Sequence, residues 1–169
     1  MKRINIIILC LLSFVIGENE KGFKLLNTSN NNYQVQFDLE EFEIEKNNEF
    51  DEIKVNSIVG NTGIIGMPKL PSYSSLLMVD PTKEYELHYI IKDSYIIDNV
   101  KIIPNQNLIN GLERKQVLDI DSEFYNSDAK YPLENFILSE PMVFRDLVLL
   151  NISIVPFNYF PNSNQLEVI

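Results

Sequence analysis

Cysteine is almost missing from this chain. The 169 residues hold one cysteine, Cys10, and one histidine, His88. Cys10 lies within Ile6–Ile16 (IIILCLLSFVI), an apolar run broken only by Ser13 and preceded by Lys2 and Arg3. A basic start, a short apolar core and then Val15-Ile16-Gly17 have the layout of a secretory signal peptide, residues 1–17, too short for a membrane span. A lipid-bearing cysteine would follow that run, whereas Cys10 sits inside it. Cleavage after Gly17 leaves 152 residues (169 minus 17) without cysteine. Disulfide stapling and thiol chemistry are then excluded, and stability must come from the core. His88 lies on the polar side of an alternating stretch with no second histidine. A general base needs a partner group, and a metal site needs more ligands. No catalytic residue, metal or cofactor is expected.

Positive charge is scarce as well. Lys and Arg number 14 against 24 Asp and Glu, a net charge of -10. Loss of Lys2 and Arg3 takes it to -12 (-10 minus 2). Such acidity argues against nucleic acid, or a membrane beyond the signal peptide, as a partner. Long helical periodicity, internal repeats and linkers are also absent, so one secreted domain is expected.

What is present is alternation. From Phe144 to Phe157 the even positions are nearly all apolar, while the odd positions turn polar at Asn151 and Ser153. A period of two with crowded β-branched residues predicts one long strand, bent or at a sheet edge at Pro156. Pro161-Asn162-Ser163-Asn164 supplies a turn, and Gln165–Ile169 alternates again as a hairpin partner. Earlier, Glu18–Asn32 is polar and reads as a flexible lead-in, so the β domain spans 33–169. Tyr33–Leu39 is a strand whose phase slips by one at Glu40-Glu41, as at a β-bulge. Further strands are expected at Ile53–Ser57, Ser74–Val79, Lys83–Lys92, Tyr95–Ile103 and Asn135–Ser139. Gly60–Pro71, punctuated by three glycines besides Pro68 and Pro71, predicts an extended, ordered loop. These spacings indicate an antiparallel, all-β sandwich or barrel.

Between Pro104 and Asp128 the alternation stops, and a long excursion opens at Asn105. Leu108–Val117 has weak helical character, interrupted by Gly111. The excursion carries Arg114-Lys115, an exposed basic pair on an acidic domain. Long loops in compact domains are disproportionately functional, and a basic tip suits an acidic specificity pocket, though a solvated surface pair accounts for these residues as well. The acidic sets Glu40-Glu41-Glu43-Glu45 and Asp119-Asp121-Glu123 offer oxygen atoms to a hard cation, though solvated or edge-protecting charge accounts for them. Asn27-Thr28-Ser29 and Asn151-Ile152-Ser153 match the glycosylation pattern without bearing on activity.

Several motifs fall in one order: Gly66-Met67-Pro68-Lys69-Leu70-Pro71, Ile103-Pro104, Tyr125-Asn126-Ser127-Asp128 with Tyr131-Pro132, Ser139-Glu140-Pro141, Arg145-Asp146, and Pro156-Phe157-Asn158-Tyr159 with Pro161 and Leu166. Together they resemble the N-terminal prodomain of gingipain-type secreted cysteine peptidase precursors, over roughly Tyr33 to Ile169. The resemblance implies a β-sandwich-like prodomain that assists folding of a peptidase and keeps it latent. It implies a cysteine peptidase catalytic domain as partner, in cis within a longer precursor or in trans. It also implies a basic side chain on the Asn105–Ile120 loop that fills the enzyme's specificity pocket, Arg114 first and Lys115 second. The catalytic Cys and His of that family would lie in a following domain, so the chain reads as a truncated precursor or a free-standing prodomain. The alternative is a secreted structural or adhesive β-sandwich with no peptidase client.

Overall fold

The structure, a computed structural model, describes residues 22–29, 32–47, 49–57, 59–107 and 118–169. The expected signal segment 1–17, residues 108–117 and with them Arg114 and Lys115 lie outside the described residues.

Twelve strands and one helical turn make up the described chain: β1 (Phe23–Ser29), β2 (Asn32–Phe37), β3 (Phe42–Lys46), β4 (Asp51–Val55), β5 (Gly60–Asn61), β6 (Pro71–Met78), β7 (Tyr95–Asp98), α1 (Ser122–Tyr125), β8 (Phe136–Leu138), β9 (Met142–Phe144), β10 (Leu147–Ile154), β11 (Phe157–Phe160) and β12 (Gln165–Val168). Every ladder between them is antiparallel. Two hairpins, β1–β2 and β3–β4, lie over two larger sheets, ordered β5-β6-β10-β8 with β9 also on β10, and β11-β12-β7.

Alternation decides which faces meet. Val148, Leu150, Ile152 and Ile154 share one face of β10. There they bury against Phe23, Leu25, Val35 and Phe37 of the first hairpin. Phe42, Ile44, Ile53 and Val55 of the second hairpin pack on Phe157, Leu166, Val168 and Ile97. Val155-Pro156, both buried, carry the chain from one large sheet to the other, where the missing proline donor ends the β10 ladder. Leu39 and Val55 touch the core clusters of both halves, so the two layers share one interior.

The all-β sandwich is as expected, and so is the β11–β12 hairpin over Asn164, whose positive φ of 50° an asparagine tolerates. Five local expectations fail for identifiable reasons. The expected lead-in contains β1, since Phe23, 1% exposed, is anchored in the core and pairs across from Phe37. The single strand over Phe144–Phe157 is instead β9, a turn at Arg145-Asp146, β10, the Pro156 bend and β11. Arg145 at φ 57° reverses the chain so that Phe144 faces Leu147. The phase slip at Glu40-Glu41 is no bulge: β2 and β3 belong to different hairpins, and 38–41 cross between them. Lys83–Lys92 forms no strand and joins no ladder among the described residues. Side chains hold it instead, as Tyr85 Oη accepts from Asp80 N (2.9 Å) and Tyr89 stacks on Phe136 at 4.1 Å. Of Tyr95–Ile103 only β7 is in a strand. Beyond it Ile102 forms a parallel bridge with Asp51.

Candidate functional site: the base of the 107–118 excursion

The segment Gly66–Lys69 is a platform on which both stems of the excursion are fastened. Gly66 N donates to Asn105 O (2.9 Å), Asn105 N to Met67 O (2.7 Å), and Lys69 N to Ile103 O (2.8 Å). On the return, Asp121 N donates to Gly66 O (3.0 Å). One glycine therefore receives the outgoing and the returning chain. Gly66 has φ 82°, and a Cβ there would lie 3.0 Å from Asp121 N. Both the backbone region and the close approach call for glycine.

Above the platform a side chain closes the neck. Gln106 Nε2 donates to Asp119 O (2.9 Å), and Gln106 Oε1 accepts from Asp119 N (2.8 Å). The amide thus mimics one rung of a β-ladder between residues that lie on no strand. Below it, buried Asn105 donates from Nδ2 to Thr62 O, while Thr62 Oγ1 donates to Pro68 O (2.6 Å). A buried carbonyl that would otherwise lack a partner is satisfied in this way.

The returning stem is anchored at once. Asp121 caps α1, its Oδ1 accepting from Phe124 N (3.0 Å), and Phe124 is buried. Tyr125 Oη donates to Ile102 O (2.8 Å), which ties the helical turn to the outgoing chain. Burial pushes the Tyr125, Tyr131 and Tyr159 phenols above their ordinary range, Tyr159 to about 12. They stay neutral hydroxyls at physiological pH, and the neck stands on an uncharged aromatic cluster.

The other sequence candidates are dispersed. His88 is exposed, its Nε2 3.6 Å from Glu86 Oε2. Asp121 is occupied by its cap, and Glu40 accepts from the Ser57 and Tyr73 hydroxyls. Among the described residues no three His, Cys, Asp or Glu side chains gather as metal ligands. Arg145 places its guanidinium 5.7 Å from the Phe144 ring in the β9–β10 turn. Asn151 sits within β10 and donates to Ser153 Oγ (3.0 Å). Gln106, Asn105 and Thr62 escaped the sequence reading because their partners are backbone atoms, which no residue pattern encodes. The site's chemistry is positional: backbone and side-chain bonds hold residues 103–106 and 119–121 together at one neck.

A sequence model described as Propeptide_C25 matches residues 19–169. Among curated proteins, gingipain R1 of Porphyromonas gingivalis is 26% identical over 104 residues, 61% of this chain and 10% of that protein. Gingipain R2 of the same organism is 27% identical over 104 residues, 61% of this chain and 14% of that protein. The chain thus spans only a small part of the length of the curated relatives it matches. Two solved structures share the fold. A complex of Porphyromonas gingivalis RgpB pro- and mature domains superposes with a TM-score of 0.73 at 23% identity, covering 89% of this chain and 80% of that one. A structure concerned with zymogenic latency of gingipain K, also from Porphyromonas gingivalis, gives 0.72 at 18% identity, covering 90% of each.

Proposed function

The chain belongs to the Propeptide_C25 family, and from that premise we propose that it is the prodomain of a gingipain-like cysteine peptidase precursor. Its partner is the catalytic domain of that peptidase, which it helps to fold and holds latent. The observation that carries this reading is the neck at Gly66, Gln106 and Asp119, which holds both ends of a segment bearing two adjacent cations, Arg114 and Lys115. An inhibitor that enters a specificity pocket gains affinity when its loop is held in place before binding. Arg114 is the proposed anchor, with Lys115 second. Export is part of the same reading: residues 1–17 direct secretion and are removed, so the N-terminus of exported material should read from about Glu18. Exported chain that retains Met1 would refute this processing.

The direct test mixes the purified chain with an activated gingipain-type cysteine peptidase and follows hydrolysis of a small substrate. Saturable inhibition by folded chain, lost on unfolding it, is expected. Absence of inhibition at micromolar concentrations, for peptidases cleaving after Arg and after Lys alike, would overturn the latency reading.

A further inference from the structure

The two layers of the sandwich part on one side. A groove of about 870 Å³ opens there between β3, β7 and the end of β12. Its apolar lining comes from Phe42 and Ile44 of β3, Ile97 of β7 and Val168 of β12, all partly or fully buried against the main core. Both flanking strands end their sheets: β7 is last in the order β11-β12-β7, and β3 pairs with β4 alone. Among the described residues each therefore keeps an edge with no strand paired to it, beside the groove that both strands line, a template for one more strand. A volume of this size is within the ~300–1,000 Å³ of ligand clefts.

The charge on the rim selects the occupant. Glu41, Glu43 and Asp93 line the groove and are exposed, and among the described residues none is in an ion pair. The one cation in the lining, Lys54, is already engaged by Glu52 (2.5 Å) and Glu45 (3.6 Å). Glu41 and Asp93, with Glu43 set across the ladder from the already engaged Lys54, place an excess of carboxylate over an apolar floor, which repels an acidic strand and favours one that alternates basic and apolar residues.

We propose that this groove binds an extended, cation-bearing peptide segment of a partner protein by β-augmentation, the segment adding a strand to the open edge of β7. Backbone hydrogen bonds supply part of the affinity, apolar side chains at alternate positions enter the floor, and the intervening Lys or Arg side chains meet Glu41, Glu43 and Asp93. A second copy of this chain is disfavoured by its own net charge of -10. The inference stands whether or not the 107–118 segment inhibits a peptidase.

The probe is a synthetic hexapeptide of alternating Lys and Val, with an alternating Glu and Val hexapeptide as control, titrated into the full chain and followed by amide NMR and hydrogen exchange. Saturable binding of the Lys peptide is expected, with slowed exchange in Tyr95–Asp98, at least tenfold weaker binding of the Glu peptide, and weakening by added salt. The double substitution Glu41→Lys, Asp93→Lys, on exposed side chains outside the ladders, should cost at least tenfold in affinity with an unchanged melting temperature. The proposal is overturned if the Lys peptide fails to bind up to millimolar concentration, if both peptides bind alike, or if the perturbed amides lie elsewhere. A concentration-dependent dimer with the same protected amides in the free chain would also overturn it, making a second copy the occupant.

Discussion

In the proposed inhibitory scheme Arg114 meets the partner, whereas Gln106 ties together the two stems that flank it. A charge-paired anchor buried in an interface typically costs ~2–5 kcal/mol on truncation, whereas a rim charge changes little. Arg114→Ala should therefore weaken inhibition of a cognate peptidase by about 30-fold or more, at ~1.4 kcal/mol per tenfold. Lys115→Ala serves as comparison, and a larger loss there would move the anchor by one residue. Losses below about threefold for both, in folded protein, would mean that the segment does not fill the pocket. Gln106 touches no partner in this scheme. Gln106→Ala removes both bonds to Asp119 and should weaken inhibition by about five- to tenfold through lost preorganisation, ~1–1.4 kcal/mol. The half-buried neck is open enough for water to replace those bonds, so the melting temperature should move by only a few degrees. A full loss of folding would make Gln106 a core residue instead.

Among the elements, β1 shows why local reading is weakest at chain ends. Only Phe23 and Leu25 carry its apolar pattern, and the ladder register shifts between Leu25 and Asn27, which breaks the period further. Yet Phe23 is 1% exposed, its ring 5.1 Å from Phe37, which in turn lies 5.0 Å from Tyr73. Phe23→Ala should cost about 3–5 kcal/mol, the usual penalty for emptying a buried phenylalanine site. Urea denaturation would show it as a lower midpoint, and a change below about 1 kcal/mol would place β1 outside the cooperative unit. The β9–β10 turn makes the complementary point. The alternation of Phe144 to Phe157 continues through Arg145-Asp146, because a two-residue reversal leaves the period of two intact. Periodicity reports which residues share a face, and it is blind to where the chain turns back.

For the whole molecule, the buried phenols set an alkaline limit. Burial raises Tyr73, Tyr125, Tyr131 and Tyr159, the last to about 12, and the Glu40 carboxylate adds to the effect at Tyr73. In the unfolded chain the same groups titrate near ~10. Between ~10 and ~12 the folded chain holds more protons than the unfolded one, so its stability falls as pH rises across that window. Below pH ~10 both states are protonated and the contribution is intact. The urea midpoint should thus be insensitive to these groups up to pH 9 and drop between pH 10 and 11. Tyr159→Phe should lessen the drop, and a midpoint unchanged at pH 11 would show that the phenols ionise within the fold.

The sequence by itself determined the composition of the two faces of most strands, the antiparallel all-β class and the closing hairpin. The face composition, the all-β class and the hairpin follow from short-range physics: side chains alternate along a strand, and proline, glycine and asparagine constrain their own dihedrals. Only the tertiary structure decided that β1 belongs to the core and that 83–92 is held by side chains rather than a ladder. It alone brought Gly66, Gln106 and Asp119 together as a neck, and left β3 and β7 with open edges across one groove. Pairing and closure join residues far apart in the chain, and their free energy depends on which backbone groups find partners. No local pattern contains that information.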